Sequence, residues 1–216
     1  MYLNPHTSIQ TPPATEPVTV DEVKANLRVD STVEDSLISE RISGEVRKVD
    51  GPDGWLGRAL ITQSLRLTLD AFPCSRRIYL PCPPLQAVTS IKYLDLDEAE
   101  QTLPSDQFRV VTEAEPGYIE LDPEKTWPET RDVGGAVWVD YDAGYGDAAA
   151  DVPRDIRDYI VIFTSERFEH RNAVNVGNIV TKFPFIDGMI DRYRVKMAGV
   201  SDDHKLRRWR RGHEPV

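Results

Sequence analysis

The clearest structural pattern in this chain lies in Ala59-Leu-Ile-Thr-Gln-Ser-Leu-Arg-Leu-Thr-Leu69. Its apolar and polar residues alternate, with Ile61, Leu65, Leu67 and Leu69 interleaved with Thr62, Ser64, Arg66 and Thr68. A period of two places the apolar set on one face of an extended chain and the polar set on the other. The stretch therefore predicts a β-strand with one buried face and one wet face.

Five more strand candidates follow this one, and clusters of Pro, Asp and Gly separate them. They are residues 78–80, 87–94, 108–111, 118–121 and 136–141. Because no helical pattern lies between them, the strands predict an antiparallel sheet block over about residues 59–146. The absence of strand–helix alternation argues against a doubly wound nucleotide-binding fold.

Helices are predicted before this block. Thr19 and Glu22 form a capping-box pattern in front of an apolar face, which predicts a short helix ending near Arg28. Ser31 and Glu34 repeat the pattern, and apolar residues spaced by three and four predict a second helix to about Lys48. Residues 51–54, Gly-Pro-Asp-Gly, interrupt it.

Helices are also predicted after the block. Asp151 as a cap and Pro153 in the first turn introduce a strongly apolar helix. Residues 172–183 are predicted as a loop, and a last short helix is predicted from Pro184 to about Met197. The expected fold class is α+β, with the N- and C-terminal helices forming a small bundle and the antiparallel block inserted between them.

The two ends of the chain differ from this domain. Residues 1–18 are rich in Pro and Thr and predict a flexible arm, the folded domain covers 19–197, and residues 198–216 form a basic tail. Residues 201–216 carry five basic and three acidic side chains, a net charge of +2, whereas residues 1–200 carry −12. The tail centres on Lys205, Leu206, Arg207, Arg208, Trp209, Arg210 and Arg211. A segment this polar is expected to order mainly when it is bound.

Composition narrows the classes of function. The net charge of −10 and the pI near 4.9 argue against a general nucleic-acid binder, since such affinity comes from Lys and Arg displacing phosphate counterions. No apolar run approaches the roughly 18 residues that span a bilayer, and the N-terminus lacks the pattern of an export signal. We expect a protein that stays in the cytoplasm where it is made and has no membrane partner.

The residues that could carry chemistry have structural explanations that fit better. Three of the four histidines fall in the predicted arm and tail (His6, His204, His213), and His170 lies at a helix end beside charged residues. Cys74 and Cys82 are predicted to be free thiols rather than a disulfide. The sequence therefore predicts no catalytic, cofactor-binding or metal-binding residues, and a protein that is not an enzyme.

Three other motifs receive similar interpretations. Asp95, Asp97, Glu98 and Glu100 could suggest a cation site, but they lack the spacing of a calcium loop and favour a solvated hairpin tip. Gly134, Gly135, Gly144 and Gly146 flank a strand and are predicted to be turn glycines. The aromatic residues Trp138, Tyr141 and Tyr145 favour packing over base stacking, with Trp138 and Tyr141 on opposite faces of a strand.

Four parts of the chain resemble the head-to-tail connector (adaptor) proteins of tailed bacteriophages and gene transfer agents. The resemblance covers about residues 15–197 and includes Leu80-Pro-Cys-Pro-Pro-Leu85 and Val139-Asp-Tyr-Asp-Ala-Gly-Tyr-Gly146. The four parts are residues 16–30 with 34–38, 57–63 with 65–70, 80–93 with 101–103, and 139–146 with 152–153. The break at residues 51–54 departs from the long uninterrupted helix of the family, and the tail beyond Val200 has no counterpart.

The resemblance implies a structural subunit of the virion neck that is assembled in the host cytoplasm. It implies a ring of twelvefold symmetry that binds the portal, links the DNA-filled head to the tail, and seats the head-closure or stopper protein. Packaged DNA would pass through the channel without sequence-specific binding. In this setting the basic tail, with Trp209 as its anchor, is expected to dock on the portal.

The sequence is also compatible with other roles. The tail could be solvated without a specific partner, or could contact the end of the packaged DNA. The protein could be another neck or head-completion protein, and less plausibly an enzyme of unknown chemistry.

Overall fold

The computed structural model describes residues 5–169 and 188–195, and it divides into two compact units. The β unit contains the described residues up to Pro17 together with Arg58–Val152, and the helical unit contains Val18–Gly57 and the described residues from Pro153. Each unit is therefore built from two separate parts of the chain. The predicted α+β class with antiparallel sheets is confirmed.

The β unit contains a five-stranded antiparallel sheet. Its strands are β1 (His6–Thr11), β2 (Gln63–Leu69), β4 (Leu85–Leu94), β5 (Glu100–Thr102) and β8 (Val137–Ala143). They lie in the order β1-β2-β8-β4-β5. The alternation predicted for residues 61–69 is confirmed over β2, because every second residue of the strand is buried and the others are partly exposed. The strand begins at Gln63, two residues later than the apolar pattern.

A second, three-stranded antiparallel sheet completes the unit. Its strands are β3 (Arg77–Tyr79), β6 (Phe108–Val111) and β7 (Tyr118–Leu121), in the order β3-β7-β6. Buried residues of both sheets, among them Leu65 and Ile119, belong to one hydrophobic core. Each sheet thus has an inner face on this core and an outer face turned away from it.

Tyr141 lies in the middle of that core. Its hydroxyl donates a hydrogen bond to the Pro81 carbonyl oxygen at 2.9 Å. Burial raises the pKa of the Tyr141 phenol far above its usual value. Trp138 lies on the opposite, partly exposed face of β8, so the predicted division of these two aromatic residues is confirmed.

The predicted flexible arm is wrong for residues 6–11, because β1 pairs with β2 at the edge of the large sheet. His6 lies opposite Thr68 in this ladder, so it is held in regular structure. Most β1 side chains are partly or fully exposed, and the strand carries no apolar alternation that a sequence pattern could reveal. Its partner strand, β2, lies more than fifty residues later in the chain. The three-residue strand β5, which is fully exposed, was also not predicted.

The helical unit contains α1 (Val20–Leu27), α2 (Asp35–Val49) and α3 (Arg154–Glu169). The capping box that begins α1 is confirmed: the Glu22 amide donates to Thr19 Oγ1 at 3.2 Å, and the Thr19 amide donates to Glu22 Oε2 at 2.8 Å. Arg28 ends the helix in the left-handed conformation, with φ at 58°. All three helices contact one another, and their buried faces include Ile38, Ile42, Val46, Ile156 and Ile160.

Two predicted caps are wrong. The Ser31 hydroxyl accepts from the Val33 amide at 3.3 Å in a local turn, and α2 begins at Asp35 without a side-chain cap. Asp151 accepts from the Ala148 amide at 3.0 Å within a short 3₁₀ turn, Ala149–Asp151, and α3 begins only at Arg154. In both cases the polar side chain satisfies a turn that precedes the helix.

The end of the chain is described only in part. The predicted helix over 184–197 is represented by residues 188–195, in which Asp191–Tyr193 is a 3₁₀ turn. The predicted loop over 172–183 lies outside the described residues. Among the described helices, none combines the length and apolarity needed to cross a membrane.

Candidate interaction surfaces

The predicted docking tail, Lys205, Leu206, Arg207, Arg208, Trp209, Arg210 and Arg211, lies outside the described residues, as does His170. Over residues 5–169 and 188–195, no group of three or more His, Cys, Asp or Glu side chains could hold a metal ion. Cys74 is exposed and Cys82 is buried, and both are free thiols as predicted. The described features that remain are surfaces, and three of them lie on the β unit.

The first surface, which we call the acidic tip, consists of the β4–β5 turn with the first residue of β5 (residues 95–100) and of residues 131–133, which precede β8. Asp95 accepts hydrogen bonds from the Gln101 side chain at 2.7 Å and from the Ala99 and Asp97 amides at 2.9 and 3.0 Å. The Gln101 bond, followed by the Ala99 amide, holds the pKa of the Asp95 carboxyl below its usual value. The predicted solvated hairpin tip is confirmed.

Residues 131–133 lie against this turn. Arg131 makes an ion pair with Glu98 at 2.7 Å and donates to the Leu96 carbonyl oxygen at 3.3 Å. Leu96 is 59% exposed and Val133 is 39% exposed. The acidic tip therefore presents two large apolar side chains among carboxylates.

The second surface is the outer face of the three-stranded sheet, which we call the arginine–tyrosine face. Alternation along β3 and β7 buries Ile78 and Ile119 and turns outward Arg77, Tyr79, Tyr118 and Glu120, with Arg109 of β6 beside them. Tyr79 is 52% exposed. Its ring lies 5.5 Å from that of Tyr118, and the Arg77 guanidinium lies 4.8 Å from the centre of the Tyr118 ring.

Glu120 organises the charges of this face. Its two carboxylate oxygens accept from Arg77 at 2.8 Å and from Arg109 at 2.7 Å. These hydrogen bonds, with that of Arg77 the stronger, hold the pKa of the Glu120 carboxyl below its usual range. Two guanidinium groups thus share one carboxylate, and the three residues carry a net charge of +1.

Sequence reasoning did not identify this face. The signal that could have found it is the alternation Arg77-Ile78-Tyr79 opposite Tyr118-Ile119-Glu120, because it places two tyrosines on the polar side of a strand pair. Because Tyr is enriched at protein interfaces, two tyrosines on the exposed side of a strand pair suggest a contact surface.

The third surface is the outer face of the five-stranded sheet. Arg66 binds Asp140 through two hydrogen bonds of 2.6 and 2.9 Å, and the Ser90 hydroxyl donates to the same carboxylate at 3.3 Å. The hydrogen bond to Asp140 raises the pKa of the Arg66 guanidinium. Lys92 makes an ion pair with Glu100 at 2.7 Å. These cross-strand contacts satisfy the side chains within the sheet itself.

Glycine shapes the end of the large sheet. Gly144, which follows β8, has φ at +144°, and a Cβ atom there would lie 2.6 Å from the Thr62 amide nitrogen. This backbone conformation and close approach need a residue without a side chain. The prediction of a turn glycine is confirmed at this position.

The helical unit pairs its charges internally. Glu45 is buried and accepts from Lys48 at 2.7 and 2.8 Å and from Arg167 at 3.0 Å. Glu22 of the capping box also contacts Arg157, and so connects α1 with α3. Burial opposes ionisation of Glu22, but the hydrogen bonds from Thr19 and the charge of Arg157 outweigh it and lower the pKa of this carboxyl.

Comparison with known proteins places the fold. No protein-family model and no curated protein sequence matches the chain. Among solved structures, a chain in the neck of an empty gene transfer agent (GTA) particle, computed with C6 symmetry, is 23% identical with a TM-score of 0.72, covering 90% of this chain and 98% of that one.

Two further structures agree. A chain in the virion of a native gene transfer agent particle is 22% identical with a TM-score of 0.71, covering 89% of this chain and 97% of that one. A chain in the neck of a native GTA particle, computed with C12 symmetry, is 23% identical with a TM-score of 0.63, covering 92% and 98%. Over about nine-tenths of its length, this protein therefore has the fold of a chain found in gene transfer agent particles.

Proposed function

We propose that this protein is a structural component of a virion neck, in a tailed phage or a gene transfer agent. The observation that carries the proposal is the likeness of fold to chains of GTA particles, which extends over about 90% of this chain and nearly all of theirs. The likeness spans both chains almost completely, so it concerns the whole architecture and not a small common motif. The protein acts through its surfaces and is not an enzyme.

Within the neck, the proposed role is that of the head-to-tail connector (adaptor). The four family-like parts of the sequence support this role, since they occur in the expected order along the fold. Copies of the chain form a ring, with twelvefold symmetry as the proposed number. One side of the ring binds the portal, and the other seats the head-closure or stopper protein.

The basic tail is the proposed link to the portal. Its arginines can make paired hydrogen bonds to carboxylates, and Trp209 can fill an apolar pocket. Each exposed ion pair contributes only about 0–1 kcal/mol. A ring that presents many tails raises their effective concentration, so weak individual contacts produce firm attachment.

The β unit is the proposed neighbour of the DNA path. Residues 1–17 and 58–152 contain eight basic and eighteen acidic side chains, a net charge of −10. A surface of this charge repels the phosphate backbone, which lets DNA pass without being held.

Binding to the portal of the same particle tests the role. The purified full chain is mixed with that portal, and complex formation is followed by size-exclusion chromatography with light scattering. We expect a complex with the full chain and a large loss of binding after deletion of residues 201–216. Undiminished binding by the truncated chain would exclude the docking tail, and no binding by the full chain would contradict the adaptor role.

Two control variants sharpen this experiment. Changing Arg207, Arg208, Arg210 and Arg211 to Lys keeps the charge and removes the paired geometry, whereas Trp209→Ala removes the anchor and keeps all charges. Binding of the full and truncated chains to DNA is measured at the same salt concentration as binding to the portal. This comparison separates contact with packaged DNA from contact with the portal. If the chain binds the head-closure protein but not the portal, the alternative of another neck or head-completion component is favoured.

A further inference from the structure

The β unit carries a surface whose charge and composition differ from the rest of the unit. We propose that the arginine–tyrosine face (Arg77, Tyr79, Arg109, Tyr118 and Glu120) docks on the acidic tip (residues 95–100 and 131–133) of a second copy of this chain. The inference rests on the proposed function in one respect, namely that copies of the chain associate with one another.

The composition of the face is that of a contact surface. Tyr and Arg are enriched at the centres of protein interfaces because they offer a large apolar area together with hydrogen-bonding groups. Tyr79 is 52% exposed although its ring packs against Tyr118. A partner that covered Tyr79 would bury apolar area that is now in water.

The face is also rigid before any partner binds. Glu120 bonds to both Arg77 and Arg109, and the Arg77 guanidinium lies over the Tyr118 ring. Long side chains lose conformational entropy when they are immobilised in an interface. Because these contacts already restrict the arginines, less of that entropy remains to be lost on binding.

The charge of the face selects an acidic partner. The two guanidinium groups share the single carboxylate of Glu120, which leaves a net charge of +1 on a unit whose net charge is −10. A guanidinium has five N–H donors, so both arginines can bind a further carboxylate.

The acidic tip matches this requirement in both charge and polarity. Residues 95–100 and 131–133 contain five acidic side chains and one basic side chain. Leu96 and Val133 are exposed beside them and can pack on the tyrosine rings. A second copy therefore offers carboxylates for Arg109 and Arg77 and apolar side chains for Tyr79.

The contact is of the kind that builds rings. The face lies on β3, β6 and β7, and the tip lies on the β4–β5 turn and the segment before β8, so two different patches meet. Such a heterologous contact uses one patch on each copy and leaves the other patch available for the next copy. It closes into a ring when the rotation between neighbours allows it.

A charge exchange between two full-length variants tests the contact. Arg109 is chosen because its side chain is 72% exposed, and Asp97 because it lies in the exposed turn. Self-association is measured by sedimentation velocity over a range of concentrations at low salt. We expect Arg109→Glu alone and Asp97→Arg alone to weaken self-association about tenfold each, and an equimolar mixture of the two variants to associate more tightly than either alone.

Two further variants serve as controls for this experiment. Tyr79→Ser removes the exposed ring without changing charge and is expected to weaken association even if Arg109→Glu disturbs the local fold. Arg154→Glu, which makes the same charge reversal on the helical unit at a side chain 87% exposed, is expected to leave association unchanged. Thermal unfolding verifies that each variant is folded.

The outcomes separate this inference from the proposed function. A wild-type chain that stays monomeric at every concentration, variants that associate as tightly as wild type, or a mixture without recovery would each overturn the contact. Portal binding by the wild-type chain is measured independently. Retained portal binding with a failed charge exchange would reject this contact alone, and a successful exchange without portal binding would reject the adaptor role alone.

Discussion

The two units of the molecule differ sharply in charge. Residues of the β unit contain eight basic and eighteen acidic side chains, a net of −10, whereas those of the helical unit contain eighteen of each and are neutral. The acidity of the whole chain is therefore a property of the β unit. The basic tail belongs to the neutral unit, in which its net charge of +2 is balanced by −2 elsewhere.

The two units also differ in the contacts that their ionisable groups make. The helical unit uses them in contacts within and between helices. Glu45 pairs with Lys48 of the same helix and with Arg167 of α3, and Glu22 of α1 pairs with Arg157 of α3. The β unit also forms ion pairs across its strands, such as Arg66 with Asp140, but it has ten more acidic than basic side chains and so keeps an excess of carboxylates around its apolar core. Such an excess favours solubility and controls association, and contributes little to the fold.

The largest effect on stability is expected from a substitution in the apolar core of the β unit. Tyr141→Ala removes the largest fully buried side chain of that core, and we expect it to lower the free energy of unfolding by about 3–5 kcal/mol. The control is Tyr141→Phe, which removes only the hydroxyl with its hydrogen bonds, including the one to the Pro81 carbonyl oxygen, and should cost about 1–3 kcal/mol. Urea unfolding measures both. Equal losses for the two variants would contradict the importance of packing at this position.

A pair of glycine substitutions contrasts the two units directly. Gly144→Ala in the β unit forces a Cβ atom against the Thr62 backbone at a left-handed φ, and should destabilise the protein by about 1–3 kcal/mol. Gly44→Ala in α2 meets open space, and should stabilise it by about 0.5–1 kcal/mol through helix propensity. Thermal unfolding compares the two variants, and a shift in the same direction for both would refute the contrast.

A smaller effect concerns the helix starts of the helical unit. Thr19→Ala breaks the capping box of α1 and should cost about 1 kcal/mol. Ser31→Ala removes a hydroxyl from a turn that does not cap α2, so a cost of less than about 0.5 kcal/mol is expected. Chemical denaturation distinguishes the two variants. A larger loss of stability for Ser31→Ala would indicate that Ser31 does cap α2.

The smallest expected effect is a pH dependence that both units share. The pKa of Glu115 is lowered by the hydrogen bonds and charge of Arg58, and that of Glu22 by Thr19 and Arg157. Since a carboxyl with a lowered folded-state pKa stabilises the protein above its unfolded pKa, about 4.3, this contribution is lost as the pH falls through the folded-state pKa. We expect the free energy of unfolding of Glu115→Gln and of Glu22→Gln to fall less steeply than that of wild type as the pH is lowered. Unfolding curves between pH 6 and pH 3 test this, and an unchanged slope in both variants would contradict it.

Prediction from sequence succeeded where a pattern is local. The period of two in β2, the capping box of Thr19 and Glu22, and the positions of β6 and β7 depend on neighbouring residues, and the structure confirms them. It failed for β1, since the backbone partners of His6–Thr11 come from a distant strand and its side chains remain largely exposed. The caps at Ser31 and Asp151 failed because a short polar side chain can satisfy a turn as well as a helix start.

The candidate surfaces were predictable to different degrees. The part of the acidic tip at residues 95–100 followed from composition, because a cluster of four acidic residues is most stable in water, whereas residues 131–133 join it through tertiary contacts of Arg131. The arginine–tyrosine face depends on the register between β3, β6 and β7, which aligns Arg77 and Arg109 with Glu120. No single segment of the sequence contains that alignment.

Because each unit is built from two parts of the chain, the order of synthesis affects the order in which the units can fold. On the ribosome, α1 and α2 emerge before residues 58–152, and α3 emerges only after them. The apolar positions Ile38, Ile42 and Val46 thus remain without α3 while the whole β block is being translated. Domains generally fold as units during synthesis. The β unit should consequently complete its fold first, and the three-helix contact should form only after α3 has emerged.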